Sequence, residues 1–209
     1  MKTFSALLFA ALSTPSAHAS AEACQAKIDS LANQGVAVSL LQELADKAQA
    51  TGLKAGGTVV VVNLRPHISE PRLDVIDLTS ATAVRLHVTH GKGSDVDGDG
   101  FATDFVRGTR KQMTELGLYQ IPQAPLEHSY KIIGLEETNS TAQKRGVSFE
   151  NCPPADTLPP TASFGSFCIS KPAFTEIESR VGGSLLLAGL ATREVEATPA
   201  LCTLLGVSN

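Results

Sequence analysis

The sequence Thr58-Val-Val-Val-Val-Asn-Leu64 decides the fold, because a run of β-branched valines is typical of a buried strand. Residues 72–78 and 83–88 alternate apolar and polar side chains around the turn-forming sequence Thr79-Ser80-Ala81-Thr82. This pattern predicts a hairpin with one face toward water. Further strands are predicted at residues 116–121, 129–135 and 183–188. A short helix is predicted at Lys171–Val181. The main body is therefore predicted to be mainly β.

Two helices are predicted before this body. Residues 20–34 carry Ala23, Ile28 and Leu31 at helical spacing, and glycine follows at position 35. Residues 38–51 repeat the pattern and end before another glycine. We interpret residues 20–55 as an N-terminal helical cap and residues 56–209 as one β domain.

The first nineteen residues have the composition of a secretory signal peptide. A lysine at position 2 precedes an apolar run over residues 4–12, and Ala17-His18-Ala19 is a small-x-small cleavage site. The apolar run is too short to span a bilayer. The sequence thus predicts a protein secreted across the inner membrane, most simply into the periplasm, with no membrane span.

Charge and cysteine content narrow the classes of function. The 209 residues include 17 basic and 21 acidic side chains, a net charge of −4, which argues against a nucleic-acid partner. In an oxidising compartment the four cysteines are expected to form cystines, and the sequence alone allows three pairings. No Cys-x-x-Cys sequence is present, which disfavours a zinc ribbon or a thioredoxin-type site.

Four short motifs point to one family. They are Arg72-Leu-Asp-Val-Ile-Asp-Leu78, His90-Gly-Lys-Gly-Ser94, Leu116-Gly-Leu-Tyr119 and Gly182-Gly-Ser-Leu-Leu186. The second and third, with Phe105 between them, are the most specific, because motif and spacing agree together. From position 58 to about position 190 the chain resembles the murein L,D-transpeptidase catalytic-domain family, cysteine enzymes that crosslink peptidoglycan stem peptides. The resemblance implies an L,D-transpeptidase-like β-sandwich or barrel, here with an N-terminal helical cap.

The resemblance also implies which positions would carry the chemistry. The family uses a cysteine nucleophile in a Ser-x-Gly-Cys sequence and a histidine as its base. Here Ser163-Phe164-Gly165-Ser166 takes the place of that sequence, so Ser166 stands at the nucleophile position with Ser163 and Gly165 before it. The histidine position falls near Glu150, so both chemical groups are replaced.

The same resemblance suggests how the four cysteines pair. Cys152 and Cys168 each lie two residues beyond the base and nucleophile positions, which are neighbours in the family. The resemblance therefore implies a Cys152–Cys168 disulfide, which leaves Cys24 to pair with Cys202. The alternative is a shifted register in which Cys168 is a free nucleophile.

The sequence suggests two further sites, one for a metal ion and one for substrate. Asp95, Asp97 and Asp99 match the first half of a calcium loop, although Val106 stands where a full loop has glutamate. The alternative is an Asp/Gly-rich turn that binds no metal, so no cofactor is required. His90 ends a strand beside the most specific motif and is a candidate for contact with substrate.

Two classes of function therefore stay open. The first is a catalytically degenerate relative that binds peptidoglycan, a peptide or a protein partner. The second is an active L,D-transpeptidase that forms an acyl-enzyme on Cys168 or Ser166. A serine next to a glutamate of ordinary pKa is a poor substitute for a thiolate, which favours the first class.

Overall fold

A computed structural model describes residues 17–105, 112–157, 160–192 and 197–207. The predicted signal peptide lies outside these residues up to position 16, and its last residues begin the first helix. The α-helices are α1 Ala17–Asn33, α2 Val38–Thr51, α3 Ala142–Arg145, α4 Lys171–Val181 and α5 Pro199–Leu204. Among the described residues, no helix has the length and apolar character needed to cross a membrane.

The strands form two sheets. They are β1 Thr58–Asn63, β2 Leu73–Asp77, β3 Thr82–Leu86, β4 Gly117–Gln120, β5 Ser129–Lys131, β6 Ile133–Gly134, β7 Ser148–Asn151, β8 Phe167–Ile169 and β9 Leu185–Gly189. The first sheet has the order β3-β2-β1-β9-β4-β6, and only its β1–β9 pair is parallel. The second has the order β5-β7-β8, with β7 and β8 parallel.

The valine run of β1 lies at the centre of the molecule. Val59 and Val61 pack with α1, α2 and α5 on one face of the first sheet. Val60 and Val62 pack on the other face against the second sheet and α4. Both faces of the strand are therefore covered, which explains why its apolar side chains run without alternation.

The prediction of a mainly β protein needs correction. In the described parts of the chain the helices contain more residues than the strands, so the fold is a mixture of helices and sheets. Apart from β9, the strands after β3 have two to four residues each, and α3 and α5 were not predicted. The start of α5 carries a readable signal, because the Thr198 hydroxyl caps the helix and Pro199 follows it.

The β2–β3 hairpin forms as predicted, but its wet face is confined to β3. Strand β2 is buried on both faces as far as Ile76, and its Asp74 side chain is only 1% exposed. Asp74 receives a 2.8 Å hydrogen bond from Arg85 Nε and a backbone hydrogen bond from Ala37 between α1 and α2. The helical cap therefore covers Asp74, a polar residue that the alternating sequence pattern predicted to be exposed to water.

Candidate functional site

The two segments that carry the family resemblance lie side by side. The backbone N–H of Ser163 donates to the His90 carbonyl at 2.7 Å, and the N–H of Lys92 donates to the Ser163 carbonyl at 2.8 Å. The Ser163 hydroxyl donates to the Ser166 carbonyl at 2.7 Å and so closes the turn. The structure thus brings the two motifs together through backbone contacts.

Glycines allow a third segment, residues 112–114, to pack closely against the segments around His90 and Ser163. A Cβ at Gly91 would lie 2.1 Å from the carbonyl oxygen of Gln112. Gly165 has φ +113°, and a Cβ there would lie 2.7 Å from the Met113 carbonyl oxygen. Since neither contact leaves room for a side chain, both motif glycines are needed for packing.

The second sheet places Glu150 and Cys168 on one face. Its register pairs Glu150 with Cys168 and Phe149 with Phe167. Side chains of paired residues point to the same face of a sheet and alternate along each strand. Phe149 and Phe167 face the core, so Glu150 and Cys168 share the opposite face, and Ser166 stands one residue before β8.

The Ser166 hydroxyl is hydrogen-bonded to the backbone of β7. Its Oγ accepts a 3.1 Å hydrogen bond from the backbone N–H of Ser148. The hydroxyl of the same Ser148 accepts a 2.7 Å hydrogen bond from Lys131 Nζ and donates to the Gly146 carbonyl at 3.1 Å. Within the described residues, no imidazole or carboxylate is hydrogen-bonded to the Ser166 hydroxyl, and Glu150 lies across from Cys168 instead.

All four cysteines are paired. Cys152 bonds to Cys168, with Cα atoms 5.5 Å apart, and Cys24 bonds to Cys202, with Cα atoms 5.3 Å apart. These are the pairs that the family resemblance implies. Cys168 is also only 2% exposed, so its sulfur is neither free nor accessible in the oxidised protein.

His90 lies in the interior, where a substrate would not reach it. Its ring is completely buried, and its Nδ1 accepts a 2.7 Å hydrogen bond from Arg72 Nη2. Arginine has only donors, so the neutral imidazole carries its proton on Nε2, which lies 3.4 Å from Asp95 Oδ2. Burial, and then the positive charge of Arg72, lower the pKa of His90 to about 4.

Arg72 is a residue whose role the sequence did not reveal. It is completely buried, and it also donates to the carbonyls of Val88 and Pro66, both at 3.1 Å. Burial lowers its pKa to about 10. Its position at the start of a predicted strand carried no signal of this, because arginine side chains are usually exposed.

Asp95 links the acidic loop, residues 95–100, to the buried pair Arg72 and His90. The carboxylate of Asp95 accepts hydrogen bonds from the backbone N–H groups of Asp99 at 3.1 Å and Gly100 at 3.0 Å. Burial acts to raise the pKa of Asp95, but the Gly100 N–H and His90 outweigh burial and hold the pKa below its ordinary value. Carboxylate oxygens of Asp95, Asp97 and Asp99 lie within 4.8 Å of one another, close enough to share a cation.

Comparisons with family models, with curated proteins and with solved structures found no match to the chain. The resemblance to the L,D-transpeptidase family therefore rests on the sequence motifs alone. A function for this protein has to be argued from its own residues and their geometry.

Proposed function

We propose that this protein is exported to the periplasm and binds the peptide stems of peptidoglycan without catalysing acyl transfer. The observation that carries the proposal is the disulfide between Cys152 and Cys168, which lies beside Glu150 in the second sheet and two residues beyond Ser166. Two disulfides also fit a protein that folds in an oxidising compartment.

The loss of catalysis follows from what each candidate nucleophile contacts. A thiolate is the reactive form of cysteine, and the Cys168 sulfur is bonded to Cys152. A serine nucleophile needs an adjacent base, and the Ser166 hydroxyl oxygen instead accepts the Ser148 N–H. These contacts support a scaffold that keeps the family motifs for packing.

Binding to isolated sacculi tests the first half of the proposal. We expect the oxidised protein to co-sediment with purified peptidoglycan and to be released by excess soluble stem peptide. An exported protein of similar net charge serves as the control for non-specific retention. A protein that stays in the supernatant would contradict the binding function.

Acylation by a carbapenem tests the second half, because this reagent acylates the thiol of working L,D-transpeptidases. We expect intact-mass spectrometry of the oxidised protein to show no adduct. Ser166→Ala should show the same mass behaviour and should still bind sacculi. An adduct on Cys168 or Ser166 would instead support the active enzyme.

A further inference from the structure

A cavity of about 310 Å³ opens in the helical cap, between α2, α5 and the segment that links α2 to β1. Both helices pack on one face of the first sheet, and the second sheet packs on the other face. The first sheet therefore separates this cavity from the second sheet and its disulfide. Six of the side chains that line the cavity are apolar: Ala45, Ala48, Leu53, Ala55, Ala200 and Leu204.

Polar and covalent contacts fix the two helices that form the cavity. The backbone N–H of Thr198, the N-cap of α5, donates to Gln42 Oε1 of α2 at 3.3 Å. The Cys24–Cys202 disulfide ties α5 to α1 as well. Four of the lining side chains are alanines, so little side-chain volume fills the space between the helices. The cavity is therefore part of a cross-linked framework and is available to a ligand without rearrangement.

The polar groups at the rim carry one positive charge. Lys54 and Gln49 line the cavity and are exposed, and neither side chain makes a hydrogen bond or ion pair within the described parts of the chain. The Thr203 hydroxyl, the third polar lining group, donates to the Pro199 carbonyl at 2.8 Å. Among the described residues, no carboxylate lines the cavity, so Lys54 supplies its charge alone.

We propose that this cavity binds a single-chain amphiphile with an anionic head, a medium-chain fatty acid, with its carboxylate on Lys54 and its acyl chain against the apolar lining. An apolar cavity with few polar groups at its mouth is typical of small-molecule sites. A cavity of about 150 Å³ holds benzene, so about 310 Å³ has room for a chain of about ten carbons. This site goes beyond the proposed function and does not depend on it.

A series of ligands tests the size of the site. The probes are hexanoate, octanoate, decanoate and tetradecanoate, each below its micelle concentration, and isothermal titration calorimetry of the oxidised protein measures their affinities. Each buried methylene strengthens binding up to about four-fold, so the affinity should rise up to about ten carbons and then level off. An affinity that keeps rising to tetradecanoate, or no saturable binding of decanoate, would overturn the assignment.

Two variants, with decan-1-ol as an uncharged probe, locate the ligand. Lys54→Gln should weaken decanoate binding about five-fold, the effect of one exposed ion pair, and leave decan-1-ol binding unchanged. Ala55→Leu places a larger side chain in the lining and should weaken both about ten-fold. Equal losses of the two ligands in Lys54→Gln, or no loss in Ala55→Leu, would contradict the placement.

Matched control variants lie outside the cavity. Lys144→Gln on α3 removes the same charge, and Ala26→Leu on α1 makes the same enlargement, at exposed positions that do not line the cavity. Both should bind decanoate with the wild-type affinity. Losses in these controls as large as those in the cavity variants would overturn the assignment.

Vesicles and sacculi separate this site from other kinds of binding. We expect no co-sedimentation with phosphatidylglycerol vesicles, because the cavity has room for one short chain. Co-sedimentation without saturable binding of decanoate would overturn the assignment in favour of a lipid surface. Retention on sacculi should be the same with and without saturating decanoate, because the first sheet separates the cavity from the second sheet. Sacculi that retain no protein, with decanoate bound as expected, would overturn the proposed function and leave this site standing.

Discussion

At the residue scale, His90 connects the buried side chain of Arg72 to the acidic loop at the surface. Arg72 donates to His90, and the other ring nitrogen of His90 faces Asp95, whose carboxylate organises the acidic loop. The imidazole stays neutral because burial disfavours its charged form and because a proton on Nδ1 would face the guanidinium. We infer that His90 is a positioning residue for the acidic loop, residues 95–100.

The first prediction concerns the pH dependence of stability. The pKa of His90 is about 4 in the folded protein and about 6.5 in the unfolded chain, so the unfolded chain binds more protons between these values. The stability that neutral His90 contributes is fully present above pH 6.5 and is lost as the pH falls to 4, about 3 kcal/mol in total.

His90→Gln, measured by urea unfolding, checks this prediction. The difference in unfolding free energy between wild type and variant should be constant above pH 7 and should shrink as the pH falls from 6.5 to 4. A difference that is constant down to pH 4 would show that His90 does not titrate in this way.

At the scale of elements, short segments and not long strands build the candidate site. The motif around Gly91, the turn at Gly165 and the segment at Met113 meet through backbone contacts. Their position depends on the absence of side chains at the glycines.

The second prediction tests this close approach. Gly91→Ala should lower the unfolding free energy by about 3 kcal/mol, because the new methyl would overlap the Gln112 carbonyl. Gly56→Ala is the matched control, since a Cβ there meets open space and φ is not in the left-handed region, and it should change stability by less than about 0.5 kcal/mol. Equal effects in urea unfolding would contradict the packing role.

The third prediction concerns calcium at the acidic loop. An ion shared by Asp95, Asp97 and Asp99 would relieve repulsion between their charges and stabilise the folded state. We expect millimolar calcium to raise the Tm by a few degrees and Asp97→Asn to abolish the increase. A Tm that is identical in calcium and in chelator would rule the hypothesis out.

At the scale of the whole molecule, the two disulfides fasten different layers. Cys24–Cys202 joins α1 to α5, and both helices pack on the outer face of the first sheet. Cys152–Cys168 joins two neighbouring segments of the second sheet only 16 residues apart. The first bond therefore closes nearly the whole described chain, and the second closes one loop.

The fourth prediction compares the two bonds. In the chain-entropy model a disulfide stabilises more when it closes a longer loop. Replacing Cys24 and Cys202 by alanine, a separation of 178 residues, should cost about 5 kcal/mol. The same change at Cys152 and Cys168 should cost about 3 kcal/mol. Chemical unfolding measures both, and equal losses would contradict the model here.

The sequence by itself determined the features that depend on local pattern. The bounds of α2 and α4, the central strand and the β2–β3 hairpin follow from side-chain periodicity and from glycine and turn residues. The strands β7 and β8 were not predicted, because each has only three or four residues and no strand pattern extends beyond it, whereas the equally short β4 and β5 lie within longer stretches that carry such a pattern.

Only the tertiary structure decided what the motif residues do. Pairing of Glu150 with Cys168 depends on the register between strands that are distant in the chain. Burial of Arg72 and His90 contradicts the usual exposure of charged and polar side chains, and it is stable because both find partners inside. Local pattern carries no record of such partners, since packing between distant segments brings them together.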